Sequence, residues 1–188
     1  IMSLLVSVYG SIPGSGVDSM NELLRIMSIS HQVVDRHEAV YEHSDRGRSR
    51  KSTECRVRTE HDQCILRQLG HSIDPSRHRA TVRSMSDIGI SKHYRTMLAA
   101  VEYVPVYQIR LRGIVYSFKD HQSVQVAQLF KVTSIEDPGI LVDPNLWLLE
   151  ISTAVSNVDG ELANAEQSVV QLSKTLSDST DAEFYTTP

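Results

Sequence analysis

Apolar and polar positions alternate along much of this chain with the period of two that marks half-covered β-strands. In residues 4–10, Leu4, Val6 and Val8 share one face while Leu5, Ser7 and Tyr9 share the other, so the opening strand is apolar on both sides. Gly10, Pro13, Gly14 and Gly16 interrupt it. Ser15 followed by Asp18 gives a helix-start signal, and Val17, Met20, Leu23, Leu24 and Met27 at helical spacing predict a helix over 16–29. A second strand is expected over 33–43. Residues 53–60 and 63–69 read as a hairpin turning at His61-Asp62. That turn sets Thr59 opposite Cys64 and Val57 opposite Leu66. Cys55, Val57, Cys64 and Leu66 then line a buried face, with Arg56, Arg58 and Arg67 on the other.

Past a connector at 71–79, a strand is expected over 80–88, and Ser91 can cap a helix over 92–101 whose stripe is Tyr94, Met97, Leu98 and Val101. In residues 106–118 the apolar set changes phase: Ile109 and Leu111 precede Gly113, whereas Ile114, Tyr116 and Phe118 follow it. A glycine at such a change predicts a β-bulge or barrel corner. Val124, Val126, Phe130 and Val132 mark a strand over 124–133, and Trp147, Leu149, Ile151 and Val155 mark another over 146–155. Asp159-Gly160 opens a last helix with Leu162, Ala165, Val169, Leu172 and Leu176 at 3-4-3-4 spacing. About eight strands and three helices result. The fold class expected is mostly β, α+β: an antiparallel multi-stranded β-barrel with a few peripheral helices. Residues 1–177 form one domain, and 178–188 are expected to be an acidic flexible tail.

Composition agrees with a folded chain. It has 188 residues, 40% hydrophobic and 22% charged, which excludes extensive disorder. Its apolar runs reach about five residues against the ~20 a spanning helix needs, and no secretory leader is expected. Net charge is −4; residues 1–100 hold 14 basic and 11 acidic groups, and residues 101–188 hold 5 and 12. Such a balance disfavours a dedicated nucleic-acid binder. The basic segment Arg46–Lys51 is the exception, read either as a solvated loop or as a contact for an acidic partner or for nucleic-acid phosphates. Cys55 and Cys64 make no disulfide framework and fit a reducing compartment.

Motifs for chemistry are sparse. The Gly10–Gly16 stretch lacks the lysine of a phosphate loop and the third glycine of a dinucleotide fingerprint, so it reads as a structural turn. Eight histidines are scattered with no metal-ligand spacing. No Gly-x-Ser-x-Gly elbow exists, and the cysteines are expected to be buried and inert. Glu38 and Glu42 lie four apart on one strand, and Glu150 stands alone on another. Arg110 and Arg112 share a strand face that points either into a barrel lumen or into water.

The order of these blocks resembles the Mediator subunit 18 family. The resemblance rests on LLVSVYGSIPGSGVDSMNELLRI, on the run from Leu66 through Leu69-Gly70, Arg79, Val82, Arg83, Asp87-Ile88 and Gly113, and on VAQLFKV and WLLEISTAV before the closing helix. It implies a non-enzymatic barrel of the Mediator head module in the nucleus, supporting RNA polymerase II transcription as a coactivator. It implies pairing with Mediator subunit 20 and tethering by a C-terminal helix of Mediator subunit 8. It implies no cofactor, no metal, no catalytic residue, no membrane and no direct sequence-specific nucleic acid; contact with other head subunits and polymerase would be indirect. The same architecture resembles RNA 5′-triphosphatases, whose metal sits on Glu-x-Glu pairs in a tunnel; this sequence has no Glu-x-Glu. An enzyme of that type acting on phosphate esters, with Arg110 and Arg112 as phosphate clamps, is the alternative.

Overall fold

The computed structural model describes residues 3–43, 54–60, 63–74, 76–156 and 160–185. Ten strands form in chain order: β1 (Ser3–Pro13), β2 (Ser30–His43), β3 (Glu54–Glu60), β4 (Gln63–Ser72), β5 (Thr81–Ile90), β6 (Tyr103–Ser117), β7 (Gln122–Lys131), β8 (Ile140–Leu141), β9 (Leu146–Ser156) and β10 (Glu183–Tyr185). Eight of them close on themselves in the order β1-β5-β4-β3-β2-β6-β7-β9 and back to β1, every pair antiparallel. The expected barrel is therefore the fold. The helices are α1 (Val17–Met27), α2 (Tyr94–Ala100) and α3 (Glu161–Ser179). The hairpin register also holds, with Thr59 opposite Cys64 and Val57 opposite Leu66. Its turn residues His61 and Asp62, and the Arg46–Lys51 segment, lie outside the described residues.

The main core lies outside the cylinder. Leu4, Val6 and Val8 of β1, Val124 and Val126 of β7, and Leu149 and Ile151 of β9 point outward under α1 and α3. There they meet Met20 and Leu24 of α1 and Val169, Leu172 and Leu176 of α3, all buried. Full burial of each such side chain is worth about 1.5–3 kcal/mol, so these helices bind the barrel firmly. A second outer cluster sets Cys55, Val57, Cys64 and Leu66 against Tyr94 and Leu98 of α2. Both thiols are free and buried.

Two local expectations fail. Gly113 is not a bulge: Val34 and Ala127 pair with it on either side without a register break. The phase change arises because β6 is covered on opposite faces along its length. Ile109 and Leu111 line the lumen, while Ile114 and Tyr116 lie on the face that packs against the outer core. Gly113 is needed for a different reason. A Cβ there would stand 2.0 Å from the Val126 carbonyl oxygen and 2.6 Å from the Ala127 Cα. The true irregularity lies at Val106, between the Val40–Tyr107 and Tyr41–Pro105 pairs, beside a proline that cannot donate to a ladder.

The second failure is the tail. Residues 178 and 179 complete α3, and β10 adds to β1 with Tyr9 opposite Tyr185. Phe184 packs on the outer core, and Gly10 opposite it leaves the room: a Cβ would fall 2.7 Å from the Phe184 ring. Acidic composition did not prevent docking because one aromatic and a bare backbone position anchor the segment.

Substituting Gly113→Ala is expected to destabilise the fold by about 3 kcal/mol in chemical denaturation, the cost of overpacking against backbone. Gly89→Ala, where a Cβ meets nothing within 4 Å, serves as control and should shift the midpoint little.

Candidate functional site

Because helices cover the outside, the polar faces of the strands point inward. Arg36 and Glu38 of β2, Arg56, Arg58 and Glu60 of β3, Arg67 of β4, Asp87 of β5, Gln125 of β7 and Glu150 of β9 meet in and around the lumen. The alternation that buries Cys55 and Val57 under α2 is what turns Arg56 and Arg58 into the barrel.

Glu38 organises this interior. It is 1% exposed. Its Oε1 lies 2.8 Å from Arg58 Nε and 3.8 Å from Arg36 Nη1, and its Oε2 lies 3.5 Å from Arg56 Nη1. Arg36 Nε also donates to Glu60 Oε2 at 3.3 Å, and its Nη1 donates to Gln125 Oε1 at 3.2 Å. Arg67 forks onto Asp87, with Nε to Oδ1 at 2.7 Å and Nη2 to Oδ2 at 2.5 Å. Burial lowers the pKa of Arg58, opposed by the charge of Glu38. Burial also works against the charge of Arg67, but the Asp87 fork outweighs it and raises that pKa. Guanidinium and carboxylate charges thus neutralise each other inside a poorly hydrated space.

The pairing governs what the lumen can do. A carboxylate ringed by three guanidiniums is a poor cation ligand, since a metal would have to displace them. Among the described residues no group of three or more His, Cys, Asp or Glu is placed to hold a metal ion. The lumen widens at one end into a cup of about 340 Å³, lined by Leu5, Tyr9, Leu69, Tyr107, Ile109, Leu111, Leu129 and Leu148 above the charged floor. At the other side Gln32, Val33, Gln63 and Ile65 frame an opening onto Arg36, Arg58 and Arg67.

Arg110 and Arg112, left open between lumen and solvent, point outward. Arg110 Nη1 and Nη2 donate to the carbonyls of Asp137 at 2.8 Å and Ile135 at 2.7 Å, and its Nε sits 3.1 Å from Asp35. Arg112 Nε is 3.4 Å from Asp35, and its guanidinium lies 4.8 Å above the Phe130 ring. Arg110 braces the loop after β7, Arg112 lies over β7 itself, and from the outer face neither can clamp anything in the lumen. Gly14–Gly16 form a single 3-10 turn, with Gly14 N–H donating to the Asn145 carbonyl at 2.8 Å. Among the histidines, His37 is buried on the outer face with Nε2 3.1 Å from Gln108 Oε1, and His78 Nδ1 meets Glu166 at 3.0 Å. Burial lowers the pKa of His37.

The lumen network escaped the sequence reading, although Arg56, Arg58 and Arg67 were placed on one polar face. The available signal was the charge at every second position in Arg36-His37-Glu38 and Arg56-Val57-Arg58-Thr59-Glu60. On strands whose opposite faces are apolar enough to carry helices, such positions point inward.

No protein-family model and no curated protein matches this chain. Solved structures do. A chain of the Schizosaccharomyces pombe Mediator head module superposes with TM-score 0.78 over 97% of this chain and 100% of that one, at 16% identity. A Pyrococcus horikoshii protein gives TM-score 0.62 over 93% and 89% at 18% identity. A Hippeastrum protein described as an adenylyl cyclase with a dominant triphosphatase activity gives 0.56 over 93% and 88% at 9% identity. At these identities the likeness is one of fold: the barrel is that of a Mediator head chain and also of triphosphatase-type proteins.

Two measurements test this site. Glu38→Gln leaves buried guanidiniums without their shared anion. It should cost about 3–5 kcal/mol, seen as a fall in Tm on the order of 10 °C. Burial pushes the Cys55 thiol from the ordinary 9.0 up to about 11. The unfolded chain therefore ionises this thiol first; the stability linked to it is full below pH 9 and falls as pH rises from there towards 11. Native protein at pH 8 should resist alkylation at Cys55, and denaturant should release it.

Proposed function

We propose that this chain is a non-catalytic subunit of a Mediator head module, a barrel that works by presenting surfaces to other subunits in the nucleus and so supports RNA polymerase II transcription. The partners proposed are Mediator subunit 20 and a C-terminal helix of Mediator subunit 8. The observation that carries the reading is the end-to-end likeness to the Mediator head chain, which leaves no domain of either chain over. Lumen charge supports it, because Glu38, Glu60 and Asp87 are each paired with an arginine, which leaves Glu150 as a single acid beside them and no cluster of acids to share a metal ion.

Surface composition fits a chain that is covered in an assembly. Ile26 is 77% exposed, Ile29 66% and Val33 76%, all within one stretch at the end of α1 and the start of β2. Val104 and Val106 are each about half exposed on β6, where it runs beyond its pairing with β7. Stable partnerships bury about 1,200–2,000 Å², and apolar patches of this kind are where such burial is most favourable.

A second reading is a triphosphatase-like barrel. One observation favours it: four arginines, Arg36, Arg56, Arg58 and Arg67, around one lumen, where a polyphosphate could be gripped. The acidic residues already paired to them oppose it.

Co-expression with subunits 20 and 8 followed by size exclusion is expected to give a co-eluting complex; a chain that stays monomeric with both would sink the assembly reading. In parallel, manganese and triphosphate-ended RNA should yield no phosphate above background. Turnover abolished by Arg58→Met, with the variant still folded by circular dichroism, would promote the second reading.

A further inference from the structure

The cup at one end of the lumen has a chemistry that an interaction barrel does not require. Its wall is apolar and aromatic: Tyr9, Leu69, Tyr107, Ile109, Leu129 and Leu148. Tyr107 is 47% exposed, Tyr9 43% and Leu148 36%, so the wall reaches the solvent at the mouth. Its floor carries Arg56, Arg58, Glu38 and Glu150. About 340 Å³ is the low end of the range for small-molecule sites, and an apolar wall with a few convergent polar groups is their usual character.

The floor charges are equal in sign count but locally incomplete. Glu150 points inward from β9 opposite Tyr9 and Gln125 on its two neighbours; its charge acts on Arg58 and Arg67, but among the described residues none hydrogen-bonds or ion-pairs with its carboxylate at contact distance. Arg58 meets one carboxylate, Glu38, through its Nε, and Glu38 is itself shared with Arg36 and Arg56. The cup thus offers an acceptor without a hydrogen bond and a guanidinium with remaining donors, both lining one floor beneath an apolar wall.

We propose that this cup binds a zwitterionic apolar ligand, a free α-amino acid with a large hydrophobic side chain. Its ammonium group meets Glu150, its carboxylate meets Arg58, and its side chain lies along Tyr107, Ile109, Leu129 and Leu148. A simple anion would face Glu150, and a simple cation would face Arg58 and Arg56; a zwitterion answers both without altering the net charge of the floor. The inference is independent of the assembly proposed above.

The test is calorimetric titration of the full chain with L-phenylalanine and L-leucine, alongside phenethylamine and 3-phenylpropionate, which each lack one head group. Saturable binding of the amino acids is expected, with both single-headed analogues weaker by at least about tenfold. Glu150→Gln should weaken phenylalanine and phenethylamine by about tenfold and strengthen 3-phenylpropionate, which no longer faces a like charge. Tyr107→Ala, at the half-exposed mouth, should weaken all of them. Absence of saturable phenylalanine or leucine binding, or analogues that bind as well as the amino acids, overturns the proposal. The analogue series on the unaltered protein decides the matter even where a variant fails to fold.

Discussion

Everything inside this barrel is conditioned by one carboxylate. Glu38 sits at 1% exposure within 4 Å of three guanidiniums, deep in the closed ring of strands. Such a charge is tolerated only because its countercharges are fixed around it, and they in turn are tolerated only because of it. Arg36 hands the network on to Glu60 and Gln125, which ties β2 to the strands on both sides of the lumen. Removing Glu38 would leave three guanidiniums facing one another without the anion they share, in a space of low dielectric.

The apolar chemistry is displaced to the outer surface, where α1 and α3 cover β1, β7 and β9, and α2 covers β2, β3 and β4. Tolerances are tight where two backbones approach. Gly113 leaves the distance that β7 occupies, and Gly10 leaves the distance that Phe184 occupies. A glycine between two strands looks the same in sequence whether it breaks the ladder or lets the ladder close up, and only the position of the neighbouring strand distinguishes them.

Much of the architecture was legible because alternation survives in nearly every strand. Val6 and Val8, Val57 and Leu66, Val124 and Val126, and Leu149 and Ile151 marked their covered faces correctly. The hairpin register followed from matching two apolar faces, which a slip of one residue would have separated. The direction of those faces was not legible. Period two says that one side of a strand is covered, and it does not say whether the cover is a helix outside or other strands across a lumen. That ambiguity put Arg110 and Arg112 in doubt and hid Glu38, whose partners come from strands separated from it by some twenty residues. β8 and β10 were missed because two or three residues are too few to show a period.

The distinction between a reacting tunnel and an interaction barrel comes down to where the carboxylates spend their charge. A catalytic lumen keeps acids free of basic neighbours, so that they can hold a metal or trade protons. Here Glu38, Glu60 and Asp87 are each committed to an arginine. A fold that serves both kinds of protein can pass from one to the other by pairing those acids internally, without disturbing any strand. Paired in this way, the acids tie β2 to β3 and β4 to β5 at the lumen. Among the described lumen acids Glu150 is the exception: its charge acts on Arg58 and Arg67 without an ion pair at contact distance.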